Sequence, residues 1–117
     1  MLLIHFPAFK YQSDFDANGI VHYIATQNGT QPWQNPAKAG WIRITTSGIL
    51  HDSVDETAVV GHEVVRCVTK ADANAWFAID FIDKFVAPTH YTLRHYSSWD
   101  TECLRSWKFE VIRCLPL

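Results

Sequence analysis

Six histidines and three cysteines are the side chains best suited to chemistry in this 117-residue sequence. Together they could hold a metal, and a Cys–His pair could supply a nucleophile and its base. Their spacing argues against a shared metal. His90 and His95 are an odd number of steps apart on an expected strand, so they face opposite sides and do not chelate one ion without a bulge. His62 and Cys67 have the same spacing and the same problem. His62-Glu63 opens a zinc-hydrolase-like pair, but no second His follows at the required distance. Cys67, Cys103 and Cys114 are odd in number and contain no C-x-x-C, which indicates neither a disulfide framework nor a zinc ribbon. Cys67, within an apolar run, reads as a small buried hydrophobe. Asp80 and Asp83 invite an acid–base reading. Asp80, following Trp-Phe-Ala-Ile, is more simply a strand-end residue that satisfies backbone N–H groups or pairs with an Arg. No G-x-S-x-G and no Gly-rich phosphate loop occurs. The chain is therefore expected to be non-enzymatic, without a cofactor or a metal.

The aromatic residues weigh differently. Trp33 and Trp99 sit among polar residues in expected loops, whereas Trp76 and Trp107 sit in expected strands, where their area suits a core. A loop Trp either staples its loop to the fold or presents a flat platform to a sugar or a protein.

The elements that must position these groups read mostly as strands. Val, Ile and Thr supply nine residues each, and branched side chains fit a pleated surface better than a helix. Two Asn-Gly pairs, Asn18-Gly19 and Asn28-Gly29, bracket an expected strand at Ile20 to Thr26 and suggest a meander. Pro32 and Pro36 mark a loop. Trp41 to Thr46 alternates, with Ile42 and Ile44 on one face and Trp41, Arg43 and Thr45 on the other. Ser47 to Thr57 is polar and loop-like. Ala58 to Val68 is ambiguous between strand and short helix, with a β-branched lean towards strand. Trp76 to Phe81 is the clearest core strand, with Phe77, Ile79 and Phe81 on one face. Thr89 to Tyr96 and Leu104 to Ile112 complete six or seven strands with little helix, which predicts an all-β sandwich or jelly roll.

Composition bounds the function. The size is that of one domain, residues 1–117. Hydrophobic residues at 48% against 19% charged are enough to bury a core. Ten basic against twelve acidic residues leave no polyanion surface to expect, so no nucleic acid is indicated. No stretch approaches the roughly 18 apolar residues of a membrane span. The apolar N-terminus is interrupted by Pro7, unlike a signal peptide. A soluble, cytoplasmic protein is the expectation.

Several segments form an ordered series: Asp16-x-Asn18-Gly19, Gly29-x-x-x-Trp33-x-Asn35-Pro36, Trp76-Phe77-Ala78-Ile79-Asp80-Phe81, Pro88-Thr89-His90-Tyr91-Thr92-Leu93-Arg94-His95, and Leu104-Arg105-x-Trp107-x-Phe109-Glu110. The series resembles the discoidin-like (coagulation factor type C, galactose-binding-like) domains of BTB proteins and ubiquitin-ligase components. That resemblance implies an eight-stranded antiparallel jelly roll. Phe77, Ile79, Phe81, Tyr91 and Leu93 would lie in its core, and Arg94 would be buried against a carboxylate such as Asp80. It also implies a non-catalytic binding module that recognises a protein or glycan through loops at one end. The loops are Gln31 to Pro36, Leu50 to Glu56 and Ser97 to Glu102, with contacts at Trp33, Asn35, His51, Asp52, Trp99 and Asp100. Trp33 and Asn35 could equally serve only to fix their loop. The resemblance departs at Val111 to Leu117, where such domains run on into further strands. The expectation is a sandwich that is incomplete, or is completed by a second chain through edge strands of a homo-oligomer. Alternatives are a purely structural or oligomerisation unit and, on weaker grounds, a His-coordinated metal-dependent jelly-roll enzyme.

Overall fold

The structure is a computed structural model, and it describes residues 8–96 and 104–112. Its elements in chain order are helix α1 (Ile20–Ala25), strand β1 (Arg43–Thr46), a 3₁₀ turn (Glu56–Val60) and strand β2 (Phe77–Asp80). The rest of the described chain is turn and irregular backbone.

The expected strand at Ile20 to Thr26 is a helix. Its branched residues disfavour helix only weakly, while Ile20, Val21 and Ile24 share one helical face. Six residues do not hold a helix alone. This one is held by packing: Ile24 and Ala25 are buried, and Ile20 and Val21 rest on the same cluster. Gly19 is its extended N-cap, and the Tyr23 N–H donates to the Gly19 carbonyl at 3.0 Å. The second Asn-Gly pair ends the helix rather than turning a hairpin. Asn28 and Gly29 take φ of 63° and 77°. The Asn28 N–H donates to the Tyr23 carbonyl at 2.9 Å, and the Gly29 N–H donates to Thr26 Oγ1 at 3.1 Å. Left-handed residues are as useful past a helix as inside a primed turn, so the same pair serves both.

β1 and β2 are antiparallel, with Ile44 opposite Ile79 and Arg43 opposite Asp80. Ile42 and Ile44 are buried while Arg43 and Thr45 are exposed, as the alternation requires. Trp41 does not follow that alternation; it packs against the core. The core consists of Ile24, Ile42, Ile44 and Val60, with Phe81 packed against it.

The remaining core expectations are corrected. Phe77 and Ile79 share the face of Ile44, yet they are 37% and 42% exposed. Tyr91 and Leu93 are about half exposed as well. Among the described residues the sheet has two strands, and this face is only partly covered. Thr89 to Tyr96 and Leu104 to Ile112 form no strand among their described residues. They meet through side chains instead. The rings of Tyr91 and Phe109 stack at 4.2 Å, Trp107 Nε1 donates to the Tyr91 hydroxyl at 3.0 Å, and the Leu104 N–H donates to His95 Nε2 at 2.9 Å.

Arg94 is exposed and does not pair with Asp80. Asp80 lies 3.5 Å from Arg43 across the ribbon and accepts from the Ile82 N–H. The ambiguous segment Ala58 to Val68 forms neither a strand nor an α-helix. Its start belongs to the 3₁₀ turn, and its end runs beside residues 48–54. There the Leu50 N–H donates to the Val68 carbonyl, the Val54 N–H donates to the Arg66 carbonyl, and Ile49 bridges Thr69. No helix among the described residues is long and apolar enough to cross a membrane.

Candidate binding surface

The loop at residues 31–36 is fixed from within and from across the chain. Asn35 Oδ1 accepts from the Ala37 N–H at 3.0 Å and the Lys38 N–H at 3.2 Å, which closes an Asx-type turn. Its Nδ2 donates to the Thr57 carbonyl at 2.9 Å, in the 3₁₀ turn 22 residues away. That turn begins at Asp55, whose carboxylate accepts from both the backbone N–H and the hydroxyl of Thr57. These bonds hold the Asp55 carboxyl below its usual range. Pro36 is fully buried beneath the loop, and the Trp41 N–H donates to its carbonyl at 2.9 Å. Asn35 is therefore a fastener, with its amide oxygen accepting twice and one amide N–H donating within the chain.

Fastening the loop to the 3₁₀ turn sets Trp33 beside His62, two residues past that turn. Their rings stack with centroids 3.9 Å apart and planes 20° apart. His22, on α1, lies nearly parallel to His62 at 6.2 Å. His62 is depressed below the ordinary histidine range, first by burial of its stacked face and then by the charges of His22 and Arg94. Arg94 is held close by Phe15, its guanidinium 4.4 Å above the ring centroid. Two imidazoles from separate segments thus line up with one indole. His22 also lines a shallow groove of about 280 Å³, with Asn18, Tyr23 and Gln31 among others.

The other expected contacts stand apart from this group. Asp52 pairs with Arg66 at 2.7 Å, which ties the 50–56 loop to the segment beside it. His51 is exposed next to it. Trp99 and Asp100 lie outside the described residues, as does the whole of the third expected loop. Of the six residues expected, Trp33 and Asn35 share this region through His62 and Thr57. His22 and His62 were missed as a pair. They lie 40 residues apart in sequence, so no local spacing could join them. Among the described residues, no group of three His, Cys, Asp or Glu side chains is arranged to hold a metal ion. Cys67 is a half-buried free thiol whose pKa is raised by burial, which suits packing better than nucleophilic attack.

No family model matches the chain, and no solved structure matches it. Curated proteins do. The chain is 35% identical over 106 residues to the E3 ubiquitin-protein ligase Ufd4 of Drosophila melanogaster. It is 34% identical over 104 residues to the E3 ubiquitin-protein ligase hecd-1 of Caenorhabditis elegans. It is 26% identical over 112 residues to a BTB/POZ domain-containing protein of Arabidopsis thaliana. These matches take in 85%, 86% and 90% of this chain. The chain spans 4% of the length of each ligase and 14% of the plant protein. It is thus similar to one short region of large ubiquitin ligases and of a BTB/POZ protein.

Proposed function

We propose that the chain is a non-catalytic module that binds a polypeptide partner through the end carrying Trp33, in a protein of the ubiquitin-ligase kind. The observation that carries this reading is the Trp33–His62–His22 row, built on a loop that Asn35 and Pro36 hold rigid. A rigid aromatic group flanked by hydrogen-bonding bases suits protein recognition, because little side-chain entropy is lost on binding. The similarity to ubiquitin ligases over 85% of the chain supports the setting, and with it an intracellular, cytoplasmic location. A discoidin-like sandwich belongs to the same proposal. Its supports are the antiparallel β1–β2 pair and the apolar alternation at Phe77 and Ile79, and at Trp107, Phe109 and Val111.

The test is capture on the immobilised chain. Saturable retention of a discrete polypeptide, lost with Trp33→Ala while the denaturation midpoint is kept, supports the reading. Retention unchanged by Trp33→Ala, or binding to glycans alone, sinks it.

One observation favours a second reading, an oligomerisation unit. Phe77, Ile79, Tyr91, Trp107, Phe109, Val111 and Ile112 are 37–79% exposed. At roughly half of the 150–250 Å² an aromatic side chain can bury, the four aromatic residues offer on the order of 400 Å². That is about half of the ~800 Å² per partner of a standard interface, and the three aliphatic residues add to it. The occupant on this reading is a second copy of the chain. A dimer in sedimentation that Trp107→Ser and Phe109→Ser dissociate supports it, and a monomer at about 100 µM contradicts it.

A further inference from the structure

The antiparallel ladder fixes which backbone groups of β2 are used. The Ser47 N–H donates to the Trp76 carbonyl at 3.1 Å, so Ser47 and Trp76 are a hydrogen-bonded pair. Such pairs alternate along an antiparallel ladder, which makes Thr45–Ala78 and Arg43–Asp80 hydrogen-bonded pairs as well. The N–H and C=O groups of Phe77 and Ile79 therefore point away from β1. Among the described residues, no hydrogen bond reaches them there. Every residue of β2 is exposed, whereas the 3₁₀ turn packs against β1. The usual guards of an open edge are missing as well. Residues 76–80 hold no Pro and no Lys, and β2 pairs with β1 without a bulge. Its one charge, Asp80, is engaged by Arg43 and the Ile82 N–H.

We propose that the outer edge of β2 pairs antiparallel with β2 of a second copy of this chain, about a two-fold axis at Ala78. The proposal rests on the oligomerisation reading above and names its surface and register. In this register Phe77 lies opposite Ile79 of the second copy, and the two exchange both of their N–H···O=C bonds. The two-fold repeats that pair on the other side of the axis. Phe77 and Ile79 share the face of Ile44 and are exposed, so the pairing joins them into apolar cross-strand pairs. Ala78 meets Ala78 of the second copy at the axis, in the narrow, non-hydrogen-bonded kind of pair, where a small side chain fits. Trp76 falls opposite Asp80 of the second copy, so no like charges face each other. The result is one continuous antiparallel sheet in the order β1-β2-β2-β1.

Ala78→Lys and Ala78→Glu test the axis. Each sets like charges opposite one another there, on an exposed face, and leaves the backbone ladder between β1 and β2 intact. The denaturation midpoint checks that each variant folds. Sedimentation is expected to show the parent as a dimer at about 100 µM. Each variant alone should dimerise about ten-fold more weakly, and an equimolar mixture of the two should regain the parent's affinity. Hydrogen exchange gives a second readout on the parent alone: the Phe77 and Ile79 amides are expected to be slow at about 100 µM and fast on dilution. A parent dimer that neither variant weakens overturns the edge inference and leaves the oligomerisation reading standing on Trp107 and Phe109. Variants that dissociate, with a mixture that does not recover, overturn the register. A parent monomeric at about 100 µM sinks both. A parent in which the two amides stay slow on dilution also overturns the inference, because the edge is then covered within the single chain.

Discussion

Asn35→Ala is the perturbation that most directly probes how the binding end is built. The side chain makes three hydrogen bonds: a donation to the Thr57 carbonyl at 2.9 Å and two acceptances from Ala37 and Lys38 at 3.0 and 3.2 Å. A net contribution near 1 kcal/mol applies to a typical bond of this kind. Water can replace Asn35 at the exposed Lys38 N–H, but replaces it less well at half-buried Ala37 and Thr57. Alanine is therefore expected to cost about 2 kcal/mol. With a urea slope near 1.5 kcal/mol/M for a small domain, the midpoint falls by roughly 1 M. Asn35→Asp sharpens the test. It keeps both acceptances but sets a carboxylate oxygen against the Thr57 carbonyl, so it loses the tie to the 3₁₀ turn and not the local turn. Aspartate should destabilise and broaden the Trp33 indole signal, because the Trp33–His62 stack depends on that tie. If both variants stay within about 0.5 kcal/mol of the parent, as surface changes do, the loop is not fastened in this way and the reasoning fails.

Other outcomes follow from the same geometry. Ile42→Ala removes the largest fully buried side chain, and thermal or urea unfolding should show a loss of about 3 kcal/mol; a loss under about 1 kcal/mol would place the core elsewhere. His62 has a folded pKa below its unfolded value, so the folded chain resists protonation. Its contribution to stability is complete above about pH 6.5 and is lost as pH falls through that value and then the lower folded one. His62→Gln should flatten this acidic arm in a pH series of melting curves. Arg43 and Asp80 are 63% and 54% exposed in their side chains, so a double-mutant cycle should find a coupling below about 0.5 kcal/mol despite their cross-strand register.

The parts of the fold legible in the sequence are those where a local pattern and a neighbour agree. Ile42 and Ile44 alternate with Arg43 and Thr45, and α1, the 3₁₀ turn and β2 surround them. Phe77 and Ile79 alternate just as clearly and become strand β2, but periodicity tells which residues share a face and not what will cover it. The same holds at Tyr91, Leu93, Trp107 and Phe109, where the apolar face formed without a ladder. Residues 20–26 were misread because branched side chains and flanking Asn-Gly pairs suit a strand, whereas the i, i+4 placement of Ile20 and Ile24 decided for a helix once a core was present. Of the site, Trp33 was visible as an indole stranded among polar residues, and Asn35 as a turn former before Pro36. His62 drew notice only as half of a zinc motif. Its ring partners, His22 and Trp33, arrive from α1 and from the 31–36 loop, and only the folded chain brings them together.

The central claim is that the Trp33 end is the polypeptide-binding surface. Its most direct measurement is site-specific photo-crosslinking from position 34, exposed beside Trp33, compared with position 45 on the exposed face of β1. The account predicts a discrete, saturable adduct from position 34, competed by excess parent chain but not by Trp33→Ala, and none from position 45. Equal adducts from both positions, an adduct from position 45 alone, or full competition by Trp33→Ala would contradict it.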